Sequence, residues 1–305
     1  MNDKPIANLS ASVRQRLSNN ARSTGRPFQE VLQYFAMERF LYRLSKSPHS
    51  DKFILKGALM FVVWRSLTTR PTKDIDLLGR MNNSVDAVLP VIRDFCNQEV
   101  EPDGLFFDAS SIDGRVIKED ADYAGVRVVF QCFLQNARMQ MQIDIGFGDV
   151  TVPDPKLTDY PVILEMPSPR LYGYNRETVV AEKFQAMVML GIANSRMKDF
   201  FDLWTLANEF EFAGLPLSQA ISATFERRQT PLPTLTPTAL RPEFGEDRAK
   251  VTQWTAFLRK NKLTNAPANL RDVTSQLEPF LMPPTRAIAA ELRFDREWPQ
   301  GGPWR

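Results

Sequence analysis

The sequence predicts an α+β fold, a mixed β-sheet flanked by helices and followed by a mostly helical C-terminal half. Three observations carry this. The first fifty residues have helical spacing of apolar side chains. The middle segment alternates apolar and polar residues as strands do, most strictly over Arg138 to Gly146. From Asn175 onward the helical spacing returns.

The elements follow in order. Ser10 can cap a helix through Val13, Leu17 and Ala21, which Thr24-Gly25-Arg26-Pro27 breaks. A second helix runs through Val31, Leu32, Phe35, Ala36, Phe40, Leu41 and Leu44. Phe53 to Lys56 reads as a short strand that turns at Gly57 into a buried helix. Lys73 to Gly79 reads as a strand, and Ser84 to Asn97 as an amphipathic helix. Gly125 to Leu134 and Arg138 to Gly146 read as a strand pair across the turn Gln135-Asn136-Ala137, and Val162 to Leu164 as a further short strand. Helices are predicted over 176–190, 197–210, 217–227, 247–260 and 269–281. The prolines 231, 233, 237 and 242 mark a linker or extended loop. The resulting division is a helical segment 1–50, a core 51–170, a helical domain 171–290 and a tail 291–305. The tail, with Trp298 and Trp304, reads as a frayed terminus in preference to an antitoxin-docking segment, ordered only if a partner or its own domain holds the tryptophans.

Composition narrows the class of function. The chain has 305 residues, 43% hydrophobic and 24% charged, as globular proteins do. Its net charge of +2, from 38 basic and 36 acidic residues, is low for a DNA-coating protein, though a local basic groove could still bind nucleic acid. Cys96 and Cys132 are too few for a disulfide framework or a zinc site. The single histidine, His49, lies in a loop-like stretch and reads as solvated. Met1 to Ser10 has no apolar core of signal-peptide length, and no apolar run reaches membrane-spanning length. A cytoplasmic protein with no membrane contact is expected.

The chemistry centres on carboxylates at strand edges. Residues two apart in a strand share a face, so Asp74 and Asp76 project together, roughly 6–7 Å apart at Cα. Side by side they repel unless a cation lies between them, and a hard cation such as Mg²⁺ suits them. Asp144, on the polar face of the alternating strand, could be a third metal ligand. Gly57 at a strand-to-helix turn would let phosphate approach backbone N–H groups, with Lys56 and Ala58 beside it. Arg70 and Lys73 flank the aspartates where triphosphate charge needs neutralising. A second cluster holds Lys183, Arg196, Asp199 and Asp202. Asp199 and Asp202 share a helix face, and Lys183 can reach a polar cleft. Two readings of it stay open: a phosphate-binding Lys183 with a base at Asp199 or Asp202, and a structural ion-pair network of Glu182, Lys183, Arg196 and Asp199.

These residues together resemble the AbiEii/AbiGii toxin family, a branch of the polymerase-beta-like nucleotidyltransferase superfamily. The matching text is Glu38 to Leu44, Phe53 to Ala58, Arg70 to Leu77, Gln142 to Gly146, Ala181-Glu182-Lys183 and Ser195 to Leu203, within residues 10–285. Ala58 departs from the Ser or Gly that usually follows the superfamily's glycine. The resemblance implies a nucleotidyltransferase core, with the active site in a cleft between it and the helical half. It implies metal binding by Asp74 and Asp76, contact of Lys183 with the phosphates of an NTP, and a catalytic carboxylate at Asp199 or Asp202. It also implies a toxin paired with an antitoxin, and related toxins modify the acceptor end of tRNA and stop translation. Two other expectations share the fold: transfer to a small molecule or protein side chain, and a binding module without catalysis.

Overall fold

The computed structural model describes residues 8–120 and 123–305. The expectation for the extreme N-terminus, residues 1–7, lies outside them. The chain divides into two compact units. The first comprises residues 1–65, 71–148 and 156–173; the second comprises residues 66–70, 149–155 and 174–305.

The first unit is built on a mixed sheet. Its elements are α1 (Leu9–Thr24), α2 (Phe28–Lys46), β1 (Phe53–Lys56), α3 (Leu59–Val63), β2 (Asp74–Gly79), α4 (Val85–Asn97), β3 (Leu105–Asp120), β4 (Tyr123–Leu134), β5 (Ala137–Phe147), β6 (Lys156–Asp159) and β7 (Arg170–Gly173). The strand order is β3-β4-β5-β2-β1-β7-β6. Strand β2 pairs antiparallel with β1 and parallel with β5.

Local chemistry explains the boundaries. Asn8 caps α1 by accepting the Ala11 N–H, and Gly25 ends it in a left-handed conformation, φ 68°. Ser84 caps α4 through the Ala87 N–H. Alternation gives β2 and β5 an inner face of Ile75, Leu77, Met141, Ile143 and Ile145, all buried. Helices α2 and α4 pack there through Phe40, whose ring lies 5.3 Å from Phe130 and 5.9 Å from Phe95. A buried ion cluster also anchors α2: Arg43 and Arg39 both bond Asp103, and the guanidinium of Arg39 lies 4.2 Å from the Tyr42 ring.

The second unit is helical: α5 (Arg176–Leu190), α6 (Met197–Glu209), α7 (Gly214–Arg227), α8 (Pro242–Glu246), α9 (Arg248–Asn261) and α10 (Leu270–Ala289), with a two-stranded ribbon of β8 (Phe212–Ala213) and β9 (Glu297–Trp298).

Three expectations are corrected. Val162 to Leu164 does not form a strand, and Ile163 and Leu164 lie in a bend. Helix α10 does not stop at Leu281 but continues to Ala289 through Pro283 and Pro284. Its apolar side holds it: Leu277, Phe280, Leu281 and Met282 are fully buried, which outweighs the lost N–H groups. The tail is packed and not frayed. Trp298 and Trp304 are buried, and their indole N–H groups donate to the carbonyls of Ala207 (2.8 Å) and Phe280 (3.0 Å). Among the described residues no helix is long and apolar enough to cross a membrane. Both cysteines are free and buried, and burial pushes the Cys96 thiol up to about 12.

Candidate active site

Strand register assembles one row of charges across the first unit's sheet. Lys56 on β1 lies opposite Asp76 on β2, Asp76 opposite Asp144 on β5, Asp144 opposite Arg127 on β4, and Arg127 opposite Arg115 on β3. Paired residues share a face, so the row stands on the side away from Ile75 and Ile143. Asp74 lies two residues from Asp76 on that same face, opposite Gln142. Asp74 and Asp76 are half-buried, while Asp144 is only 8% exposed.

Gly57 is required by geometry. Its φ is +73°, a conformation glycine adopts without strain. A Cβ placed on it would lie 2.0 Å from Oδ2 of Asp76. The glycine therefore makes room for the Asp76 carboxylate. Helix α3, which follows it, has five residues and offers only a small dipole. Ala58 is buried at its start. Lys73 is exposed just before β2.

Asp144 is held by Arg127. The guanidinium donates from Nε at 2.7 Å and from Nη2 at 2.6 Å, one bond to each carboxylate oxygen. The Gln142 amide adds a contact of 3.3 Å to each oxygen. Asp144 beside it raises the pKa of Arg127 above its ordinary value, with smaller contributions from Asp74 and Asp76. Among the described residues, no three His, Cys, Asp or Glu side chains converge as metal ligands. The sequence reading missed Arg127. The signal was the turn at Gln135 and Asn136, because equal steps outward from Leu134 and Ala137 bring Arg127 opposite Asp144.

The second cluster lies within the second unit. Lys183 on α5 bonds Asp199 Oδ1 at 2.7 Å and reaches Asp202 Oδ2 at 2.9 Å, both on α6. Arg70 forks onto Asp202 at 2.9 and 3.1 Å. Arg196 Nε lies 2.6 Å from Asp199 Oδ2, an ion pair without hydrogen-bond alignment. Both carboxylates are buried, and burial alone would raise their pKa values. Lys183 and Arg196 outweigh it at Asp199 and hold it at about 2; Arg70 and Lys183 likewise hold Asp202 below the usual range. Burial disfavours the Lys183 charge, yet Asp199 and Asp202 keep its pKa above that of an ordinary lysine. Glu182 takes no part in the contacts described for this cluster. It accepts the Tyr174 hydroxyl at 2.9 Å, 3.9 Å from Arg228.

The structure thus brings Lys56, Gly57, Asp74, Asp76 and Asp144 to one region of the first unit, and Arg70, Lys183, Asp199 and Asp202 to one region of the second. The only histidine, His49, bonds Asp94 at 3.1 Å and lies 3.3 Å from the Lys52 amine.

The model of a family described as "Nucleotidyl transferase AbiEii toxin, Type IV TA system" matches residues 39–279. No curated protein matches the chain. Among solved structures, the chain is similar to JHP933 from Helicobacter pylori, at 15% identity and a TM-score of 0.48, over 87% of this chain and 93% of that one. It is also similar to a candidate nucleotidyltransferase of H. pylori, at 15% identity and a TM-score of 0.47, over 87% and 96%.

Proposed function

The chain belongs to the AbiEii nucleotidyltransferase toxin family of type IV toxin–antitoxin systems, and from that premise we propose that it transfers a nucleotide from an NTP to an RNA acceptor, the 3′ end of a tRNA, in a Mg²⁺-dependent reaction that blocks translation. The toxin acts in the cytoplasm, and family membership implies a cognate antitoxin as the partner of the system.

The observation that carries this reading is the pair Asp74 and Asp76 on one sheet face, with Gly57 hollowed out beside the Asp76 carboxylate. The donor set fits a hard divalent cation: two carboxylates from one strand leave its other positions to water and phosphate oxygens. When bound, the ion supplies charge neutralisation at the triphosphate. The acceptor hydroxyl oxygen forms a bond to the α-phosphorus. The bond from that phosphorus to the bridging oxygen breaks, pyrophosphate leaves, and the hydroxyl proton passes to water. Asp74 and Asp76 would hold the ion, and Gly57 leaves the space that the Asp76 carboxylate occupies.

Asp199 and Asp202 hold the Lys183 charge in place rather than acting as bases, because both carboxylates are held below the usual range, Asp199 at about 2, and are poor proton acceptors. Arg70 braces Asp202 in the same cluster.

The test is incubation with Mg²⁺, each α-labelled NTP in turn and total RNA, beside Asp76→Asn. Label on tRNA-sized RNA with the wild type, and none with the variant, supports the reading and identifies the nucleotide. Label on protein, or on no acceptor, removes the RNA acceptor from it.

A further inference from the structure

Asp74, Asp76 and Asp144 share one face of the sheet, and Asp144 stands directly opposite Asp76 in register. Among the described residues they nevertheless do not converge as a group of three metal ligands. Asp144 is instead engaged by its neighbours on the sheet. Each of its carboxylate oxygens accepts a guanidinium N–H from Arg127, at 2.7 and 2.6 Å, in the planar fork that arginine and carboxylate form together. The Gln142 amide approaches both oxygens as well. Asp144 is 8% exposed, so its charge needs a partner on the protein. The fork and the Gln142 amide together take up the roughly four lone-pair sites of the carboxylate, so a divalent cation competes with them for an oxygen of Asp144. Arg127 keeps its own charge at any physiological pH, so the exchange is one cation for another.

We propose that Arg127 is the built-in counter-cation of Asp144 and competes with the divalent cation for it. Asp74 and Asp76 take the ion first, and Asp144 joins them only when Arg127 lets go. This rests on the metal-binding reading of Asp74 and Asp76 given above. Arg127 acts through Asp144 and is a positioning residue. Arg115, the next residue out along the same row and exposed, is the internal control: it carries the same charge and makes no described bond to Asp144.

The experiment is titration of Mn²⁺ into the full chain without nucleotide, with free Mn²⁺ read by electron paramagnetic resonance. Arg127→Met is expected to bind Mn²⁺ about tenfold more tightly than the wild type, because the ion no longer displaces a charge-assisted fork. Adding Asp144→Asn to that variant is expected to abolish the gain. Arg115→Met is expected to match the wild type. Arg127→Lys keeps a positive charge beside Asp144 and guards against a folding failure; it is expected to bind Mn²⁺ a few-fold more tightly, since a lysine makes no fork. Melting adds a second readout: Arg127→Met should melt below the wild type in chelator and recover more of the difference with Mn²⁺. Unchanged or weaker Mn²⁺ binding in both Arg127 variants would overturn the proposal and leave the metal reading standing. So would equal tightening in Arg115→Met, which would reduce the effect to general charge. If neither the wild type nor any variant binds Mn²⁺, the metal reading fails and this inference fails with it.

Discussion

The two charged regions of the molecule are built on opposite principles. In the first unit, Asp74 and Asp76 stand half-buried on a sheet face, where strand register places Asp76 between Lys56 and Asp144. In the second unit, Lys183, Asp199, Asp202 and Arg70 meet side chain to side chain, with Asp199 and Asp202 at 0% and 1% exposure. The first arrangement leaves room for exchange of partners. The second fixes its charges, because separating them would strand an ion in a low-dielectric interior. The difference teaches that stability and activity should come apart between the two regions.

Substitution is the sharpest way to break that comparison. Lys183→Met removes the shared partner of two buried carboxylates and should cost ~3–5 kcal/mol of stability, read as a lower midpoint in urea denaturation. A change under about 1 kcal/mol would mean that the cluster is not the fixed region described here.

Acid should separate the regions next. Asp199 has a depressed pKa of about 2 in the folded chain, against an ordinary aspartate when unfolded. Its contribution is therefore present above pH 4 and is lost as pH falls toward 2. The loss amounts to about 2 kcal/mol. Asp199→Asn should flatten this part of the stability profile, measured by denaturation at successive pH values. A profile as steep as that of the wild type would remove Asp199 as its source.

Gly57→Ala should give an intermediate effect in the first unit. The new Cβ meets Asp76 at 2.0 Å in a backbone conformation with φ +73°, at a cost of ~1–3 kcal/mol. Transfer activity should fall further than this cost explains, since the Asp76 carboxylate must move. The smallest stability effect belongs to Asp76→Asn itself, within about 1 kcal/mol, accompanied by loss of transfer. Unfolding on that substitution would make Asp76 structural and erase the contrast between the regions.

How far the sequence revealed all this depends on how local each signal was. Strands β2 and β5 were legible because their alternation is strict, and with them the common face of Asp74, Asp76 and Asp144. Strand β3 was not, because a register shift between Asp108 and Asp113 breaks its alternation against β4. Strands β6 and β7 have four residues each, too short for a period to show. The helix predicted over 269–281 fell short of the end of α10, since burial of Phe280, Leu281 and Met282 is a tertiary fact that no window of sequence displays. At the candidate site, the residue types were visible and their partners were not. Arg127 looked like one polar residue in a valine-rich strand until register set it against Asp144. Gly57 was legible as a turn, but the space it leaves for Asp76 depends on a neighbouring strand. Lys183, Asp199 and Asp202 were found by motif, and whether they served substrate or structure depended on burial.

Nucleotidyl transfer at the Asp74–Asp76 face is tested by following two labels through one reaction. The wild type and Asp76→Asn are incubated with Mg²⁺, total RNA and the same NTP, labelled at the α-phosphate in one series and at the γ-phosphate in the other. The α-label is expected to join the RNA and the γ-label to leave in pyrophosphate, and neither is expected to move with the variant. A γ-label on the RNA, or an α-label joined equally well by Asp76→Asn, would contradict transfer at that face.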